Sequence, residues 1–215
     1  KANMGGYFQA PSDAKSSENR GYFQGDEKEE GFRKYPQLKE RLLSDIFQNP
    51  LSGVTQRYKR LGIDSKAGNQ CKNEMIENDF FKQKKIIMKT GWINLFELTE
   101  KGKTALRDLG YQAQEGNESI EHKFWKHKIG EDYKARGFDV LIEEHVNGKP
   151  DIIIISGNKK TAIEVESGES YYLKNIERDI KAFDEVVCVA VNKEVEGKIR
   201  EELKIQDERV KITSV

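Results

Sequence analysis

The sequence contains few of the residues that build a cross-linked or cysteine-rich domain. Of its 215 residues only two are cysteines, Cys71 and Cys188, and only four are prolines. Two isolated cysteines exclude a disulfide framework and a zinc site of cysteine pairs. Such sparse cysteine is typical of proteins of the reducing cytoplasm, so we expect a cytoplasmic location.

Long hydrophobic runs are also missing. No apolar stretch approaches the ~18 residues that a membrane-spanning helix needs, so we expect no membrane contact. The first residues lack the charged-then-apolar pattern of a secretion signal. Because the chain begins at Lys1 rather than Met, one expectation is that it is a fragment of a longer protein.

A net excess of one charge is absent too, since 37 Lys and Arg balance 37 Asp and Glu. The distribution is nevertheless uneven. Residues 33–103 contain 15 Lys and Arg against 8 Asp and Glu, and the rest of the chain has the opposite excess. A basic part beside an acidic part predicts that the two parts have different functions.

Residues 1–31 show no sustained apolar period and are rich in Gly, Ser, Asn, Gln and Glu. The sequence GYFQ occurs twice there, at Gly6–Gln9 and Gly21–Gln24. This composition predicts a flexible N-terminal arm. The alternative is an aromatic hook that docks on a partner.

Helical periodicity begins after Tyr35. A first helix is predicted up to Asn49–Pro50, a second from a Ser52 cap to Gly62, and a third from a Ser65 cap. Two strand-like runs joined at Thr90–Gly91 follow, and then a helix capped by Thr99 and closed by Gly110. The predicted order is therefore three helices, a β-hairpin and a fourth helix.

This order resembles a winged helix-turn-helix, and LTEKGKTAL (residues 98–106) is similar to the segment after the wing in bacterial and archaeal members. The resemblance covers residues 36–110, within a predicted domain of residues 32–112. It implies that the third helix enters the major groove of double-stranded DNA and that the hairpin contacts phosphates. The alternative is a solvated surface and a winged helix used for protein contacts. The candidate DNA-binding residues are Arg57, Lys59, Arg60, Lys66, Asn69, Gln70, Lys72, Asn73, Lys82, Lys84, Lys85 and Lys89.

The second half predicts a helix over Glu118–Arg136, then three strands joined by two-residue turns at Asn147–Gly148 and Gly157–Asn158. The second turn places Asp151 opposite Glu164. The first turn would place Glu144 opposite Asp151, and Glu166 would point to the same face. Opposed Cβ atoms lie about 4.5–5.5 Å apart, so acids of adjacent strands would meet.

Acids this close repel unless some are protonated or a cation lies among them. Carboxylate oxygens are the ligands that Mg²⁺ prefers, so we predict a site for Mg²⁺ (or Mn²⁺) at Asp151, Glu164 and Glu144. The alternative is that the acids lie on a solvated sheet face. Against it, isoleucine, valine and alanine occupy both faces of the predicted strands, which indicates a sheet buried on both sides.

Pro150–Asp151, an apolar strand, a hairpin and Glu164–Val165–Glu166 resemble the PD-(D/E)XK nuclease superfamily, whose restriction-endonuclease-like core is αβββαβ. The resemblance covers residues 118–192, within a predicted domain of residues 113–215. The stretch from AIEVESGES to DEVVCVA is also similar to C-terminal nuclease-like domains of mobile-element DNA-translocating ATPases, which often follow a winged helix. The expected fold class is therefore α+β or α/β, with a winged helix before a nuclease-like domain.

The superfamily resemblance implies that Asp151 and Glu164 bind the metal. The lysine of its pattern falls at Glu166, which departs from it, and Lys174 on the next helix could supply the missing cation. Glu121 or His122 would match the first motif, although His122 is equally interpreted as a surface or capping residue.

We therefore expect a metal-dependent DNA endonuclease that hydrolyses phosphodiester bonds. Two alternatives stay open: a catalytically inactive nuclease-like module for DNA binding or assembly, and a protein-binding tail of a motor ATPase. The expected partners are double-stranded DNA, an ATPase motor domain and a second copy of the chain.

Overall fold

The computed structural model describes residues 36–113, 118–142, 149–168, 172–203 and 207–215. They belong to one compact unit. The predicted arm of residues 1–31 lies outside the described residues, and the predicted boundary at residue 112 stays a prediction. Among the described helices, none has the length and apolar character to cross a bilayer.

Helices and strands are mixed, which agrees with the predicted α+β class. The helices are α1 (Pro36–Gln48), α2 (Val54–Leu61), α3 (Ser65–Glu77), α4 (Glu100–Asp108), α5 (Ile120–Ala135), α6 (Tyr172–Asp179) and α7 (Lys193–Glu202). The strands are β1 (Phe81–Met88), β2 (Gly91–Leu98), β3 (Asp139–Ile142), β4 (Ile152–Ser156), β5 (Lys159–Glu166), β6 (Glu185–Ala190) and β7 (Val210–Ser214).

The predicted order of three helices, a hairpin and a helix is confirmed, with small corrections at the helix starts. Gly53, not Ser52, is the N-cap of α2, and Gly62 ends that helix with a positive φ of 65°. Asp64, not Ser65, caps α3, because its carboxylate accepts the backbone N–H groups of Lys66 and Ala67. Thr99 caps α4 as predicted.

The hairpin of β1 and β2 is regular, with Phe81 opposite Leu98 and Met88 opposite Gly91. Its turn residues are 89 and 90, one position before the predicted Thr90–Gly91. One face of the hairpin carries Ile86 and Leu95, which are completely buried. These two side chains belong to the same hydrophobic cluster as α5 and the second sheet.

The second sheet has the order β3-β4-β5-β6-β7. Strands β3, β4 and β5 pair antiparallel, whereas β5, β6 and β7 run parallel, with α6 and α7 as the connections. The β4–β5 register is the predicted one, with Ser156 opposite Lys159. Gly157 has a φ of 59°, the left-handed conformation that a tight hairpin turn requires.

The predicted register between β3 and β4 is wrong by one residue. Leu141, and not Ile142, lies opposite Ile153. Strand β3 is described up to Ile142 and β4 from Ile152, and the turn predicted at residues 147–148 lies outside the described residues. The prediction that set Glu144 against Asp151 depended on the other register, and Glu144 itself lies outside the described residues.

A close approach in the helical part gives a test of the packing. A Cβ atom added at Gly102 in α4 would lie 2.0 Å from the carbonyl oxygen of Phe80, which is backbone and cannot turn away. We expect Gly102→Ala to lower the free energy of unfolding by about 1–3 kcal/mol in urea titrations.

The matched control is Gly197→Ala in α7, where a Cβ meets no atom within 4 Å. That variant should be more stable by up to about 1 kcal/mol, because alanine favours helix. Equal effects at the two sites would contradict the packing.

Candidate metal centre

Asp151 lies immediately before β4 and is held against two neighbouring elements. Its Oδ2 atom accepts the backbone N–H of Val165 in β5 at 2.8 Å. The same oxygen lies 3.0 Å from Nε2 of His122 in α5. The side chain keeps 18% of its surface exposed, so it is fixed in place but open to a ligand.

The start of α5 and the residue before its cap supply the other groups. Ser119 caps the helix by accepting the backbone N–H of His122 at 3.2 Å. His122 and Lys126 are four residues apart and therefore lie along one side of the helix, and Glu118 lies just before the Ser119 cap. Nδ1 of His122 and Nζ of Lys126 each lie 2.6 Å from Oε1 of Glu118.

Ligand atoms of Glu118, His122 and Asp151 all lie within 4.8 Å of one another. Within the described ranges this is the group of three or more such residues that satisfies that spacing. Carboxylate oxygens suit Mg²⁺ and Mn²⁺, and imidazole widens the choice to other transition metals. The cluster could therefore bind a metal ion, and its ligands alone do not define which one.

Protons neutralise the cluster when no cation is bound. Burial lowers the pKa of His122, but hydrogen bonds with Asp151 and Glu118 more than offset this and raise the pKa to about 10. Burial raises the pKa of Glu118, but His122 and Lys126 bring that pKa down to about 2. A protonated imidazole thus lies between the ionised carboxylate of Glu118 and the side chain of Asp151. Metal binding through His122 would release that proton.

Glu164 in β5 is almost completely buried and is held by α6. Nη2 of Arg178 donates to its Oε1 at 2.7 Å, and Nδ2 of Asn175 donates to its Oε2 at 3.3 Å. Burial, a hydrogen bond with Asp179 and the charge of Asp151 raise the pKa of Glu164 to about 10, although Arg178 opposes the shift. Glu164 is thus protonated at neutral pH and shares Arg178 with the buried Asp179.

Glu166 lies two residues further along β5, so its side chain is on the same face as that of Glu164. It is only 1% exposed. Burial and the nearby charge of Asp151 raise the pKa of Glu166 to about 8, while His122 lowers it. Burial, followed by the charges of Glu166, Glu164 and Asp151, also raises the pKa of Cys188 on the neighbouring strand.

The structure brings some of the predicted site residues together and separates others. Asp151 contacts His122, the residue with the two open interpretations, whereas Glu121 forms an ion pair with Lys84 of the hairpin at 2.9 Å. Glu164 and Glu166 influence Asp151 electrostatically, but within the described part of the chain they do not join its group of close ligand atoms. Lys174 is exposed on α6.

Sequence reasoning missed four residues at the site: Glu118, Asn175, Arg178 and Asp179. The spacing of four residues from Glu118 to His122 was a readable signal for the first of them. The other three act through contacts between α6 and β5, which no local pattern records.

One DNA-binding candidate is corrected by its burial. Arg57 has no exposed surface, and its Nη1 atom donates to Oδ2 of Asp45 at 2.8 Å. It therefore neutralises a buried acid and cannot contact DNA. Arg60 donates to the same carboxylate at 2.6 Å but stays 38% exposed. The candidates with exposed side chains are Lys59, Lys66, Asn69, Asn73, Lys82, Lys84, Lys85 and Lys89, while Gln70 and Lys72 are partly exposed.

Comparison with known proteins adds no relative to these observations. No protein-family model, curated protein or solved structure gives a significant match to the chain.

Proposed function

We propose that this chain is a DNA-binding protein with a metal-dependent endonuclease-like domain that hydrolyses phosphodiester bonds. The observation that carries the proposal is the position of Asp151, next to His122 and Glu118 and beside two buried acids of β5. The order α5, three antiparallel strands, α6 and a parallel strand supports it, because it agrees with the αβββαβ order of the PD-(D/E)XK superfamily.

Asp151, Glu118 and His122 would hold the ion. Two carboxylates and an imidazole fit Mn²⁺ at least as well as Mg²⁺, which favours all-oxygen sites. A bound divalent ion supplies charge neutralisation to the phosphodiester and makes water a better nucleophile. Val165 fixes Asp151 through its backbone N–H, so the ligand is positioned before the ion arrives.

Glu166 is the group placed to accept a proton. Its raised pKa of about 8 lies near neutral pH, where a general base works most efficiently. Glu164, tied to Arg178, would keep α6 on the sheet and the guanidinium near the scissile phosphate. An arginine there offers the positive charge that the lysine of the superfamily pattern would have given.

The helical part and its hairpin, proposed as a winged helix, would bind the duplex. Its exposed lysines would contact phosphates, so binding would weaken steeply with salt.

The test is nicking of supercoiled plasmid with Mn²⁺ or Mg²⁺. We expect cleavage by the unmodified chain and a loss of at least ~10-fold in Asp151→Asn, since even groups that only orient a metal ligand typically have effects of about 10–100-fold. Asp139→Asn is the matched control, because Asp139 is an exposed acid on the edge strand of the same sheet. Cleavage that survives Asp151→Asn would contradict the proposed site.

A second candidate function is an inactive nuclease-like module for DNA binding or assembly, such as the C-terminal part of a mobile-element DNA-translocating ATPase. The observation that favours it is the hydrogen bond that Arg178 donates to Glu164 at 2.7 Å, which occupies an acid that the resemblance assigns to the metal. Duplex binding without cleavage at any metal concentration would select this alternative.

A further inference from the structure

The tip of the β1–β2 hairpin exposes two large apolar side chains. Ile87 is 73% exposed and Trp92 is 61% exposed. They are directly paired across the two strands, so they form one continuous surface. Nζ of Lys85 lies 5.0 Å from the centre of the Trp92 ring, which adds a positive charge to that surface.

The opposite face of the hairpin is already occupied. It carries Ile86 and Leu95 into the core, and Lys84 on that face forms an ion pair with Glu121 of α5. The strands that carry Ile87 and Trp92 are therefore anchored to the rest of the protein through their other face. We call its outer residues, Lys85, Ile87, Trp92 and Asn94, the Trp92 platform.

A groove runs beside the platform between the hairpin, the start of α2 and α3. Its polar lining consists of amides, a hydroxyl and one lysine, contributed by Thr55, Gln56, Asn69, Lys72, Gln83 and Asn94. Among the described residues that line it there is no carboxylate. Amides can hydrogen-bond the edges of any base, and lysine pairs with phosphate.

We propose that the Trp92 platform and this groove bind single-stranded nucleic acid. One unpaired base stacks on Trp92, the amides of the groove contact base edges, and Lys72 and Lys85 pair with phosphates. The charges of the site favour nucleic acid over other ligands. A nucleic-acid chain is anionic and complements Lys72 and Lys85, and the described groove lining contributes no carboxylate to repel it. The aromatic ring of Trp92 suits bases of any sequence. A duplex can place its phosphates on these lysines, as proposed above, but it offers no unpaired base to Trp92, because its bases stack on each other.

This proposal does not depend on duplex cleavage, since binding of single-stranded nucleic acid needs no metal. Binding can be measured by tryptophan fluorescence. Trp92 is exposed and Trp125, the other tryptophan, is only 6% exposed, so quenching by a bound base reports on Trp92.

The experiment titrates the chain, in EDTA and low salt, with a thymidine oligomer of about 15 nucleotides. We expect emission to fall as the oligomer binds, and a blunt duplex of the same length to quench it much less, because a bound duplex offers no unpaired base to stack on Trp92. Trp92→Ala should abolish the quenching and weaken binding, measured by anisotropy, at least about 5-fold, the lower limit for loss of one stacked base. Trp92→Phe, which retains an aromatic face, should restore most of the affinity.

Leu141→Ala is the matched control, since Leu141 is a 53% exposed apolar residue on the edge strand β3, outside the platform and the groove, and should not affect binding. Equal affinity in the unmodified chain and Trp92→Ala would overturn the proposal. So would a dimer, seen by light scattering, that Trp92→Ala converts to a monomer without loss of oligomer binding, because the platform would then serve a second copy.

Discussion

Asp45→Ala should lower the free energy of unfolding by about 3–5 kcal/mol, the usual result of removing one partner of a buried ion pair. Asp45 is 5% exposed and Arg57 is fully buried. Nη1 of Arg57 donates to both the carboxylate and the backbone oxygen of Asp45, at 2.8 and 2.9 Å, and Nη2 donates to the carbonyl of Pro50 at 3.0 Å. Without Asp45 the guanidinium stays buried with its charge uncompensated.

Urea titration of Asp45→Ala provides the measurement. Asp108→Ala serves as the control, since Asp108 is an exposed acid near the end of α4 and its loss should cost less than about 0.5 kcal/mol. A combined variant, Asp45→Leu with Arg57→Met, should recover much of the lost stability, because no isolated charge remains. If the single and combined variants are equally unstable, the penalty arises from packing and not from the charge.

The second large effect is a loss of stability at alkaline pH in the metal-free protein. Burial raises the pKa of Glu166 to about 8 and that of Glu164 to about 10, and hydrogen bonds raise the pKa of His122 to about 10. A group with a raised folded pKa stabilises the fold fully below its unfolded pKa, and this stabilisation is lost as the pH rises through the folded pKa. The free energy of unfolding should therefore fall from about pH 5 to pH 10.

Glu166→Gln isolates one component of that fall. The amide does not titrate, so the decline between about pH 5 and 8 should be shallower, and the variant should be more stable than the unmodified chain at pH 9. The full shift of Glu166 sets a limit of about 5 kcal/mol on this difference. Urea titrations in EDTA at pH 5, 7 and 9 measure it.

Glu177→Gln, at an exposed position of α6, should reproduce the unmodified pH profile. Added Mn²⁺ should also reduce the decline, because a cation in the cluster favours ionised carboxylates. A flat profile from pH 5 to 9 in the unmodified chain would show that Glu166 is ionised throughout, against the burial seen here.

Most of the element order could be predicted from local patterns. The Gly157–Asn158 turn fixed the β4–β5 register, because a two-residue turn leaves a single pairing for the strands beside it. Thr99 and Gly62 marked helix ends through capping chemistry that depends on adjacent residues alone. These signals are short-range, and so they are readable from a single sequence.

The errors come from contacts between distant segments. Arg57 looked like a surface cation because its sequence neighbours are polar, but its partner Asp45 lies on another helix. The predicted β3–β4 register is wrong by one residue, since Leu141 and not Ile142 lies opposite Ile153. Arg178 reaches Glu164 only because α6 crosses over the sheet, and a one-dimensional pattern contains no trace of that crossing.

The anchoring of Ile86 and Leu95 in the core of the second sheet has a mechanical consequence. Because the hairpin is packed against this core, it should keep a fixed distance between Trp92, where a nucleic-acid base would bind, and Asp151. Under the functions proposed above, the cut would fall a constant number of nucleotides from the gripped base.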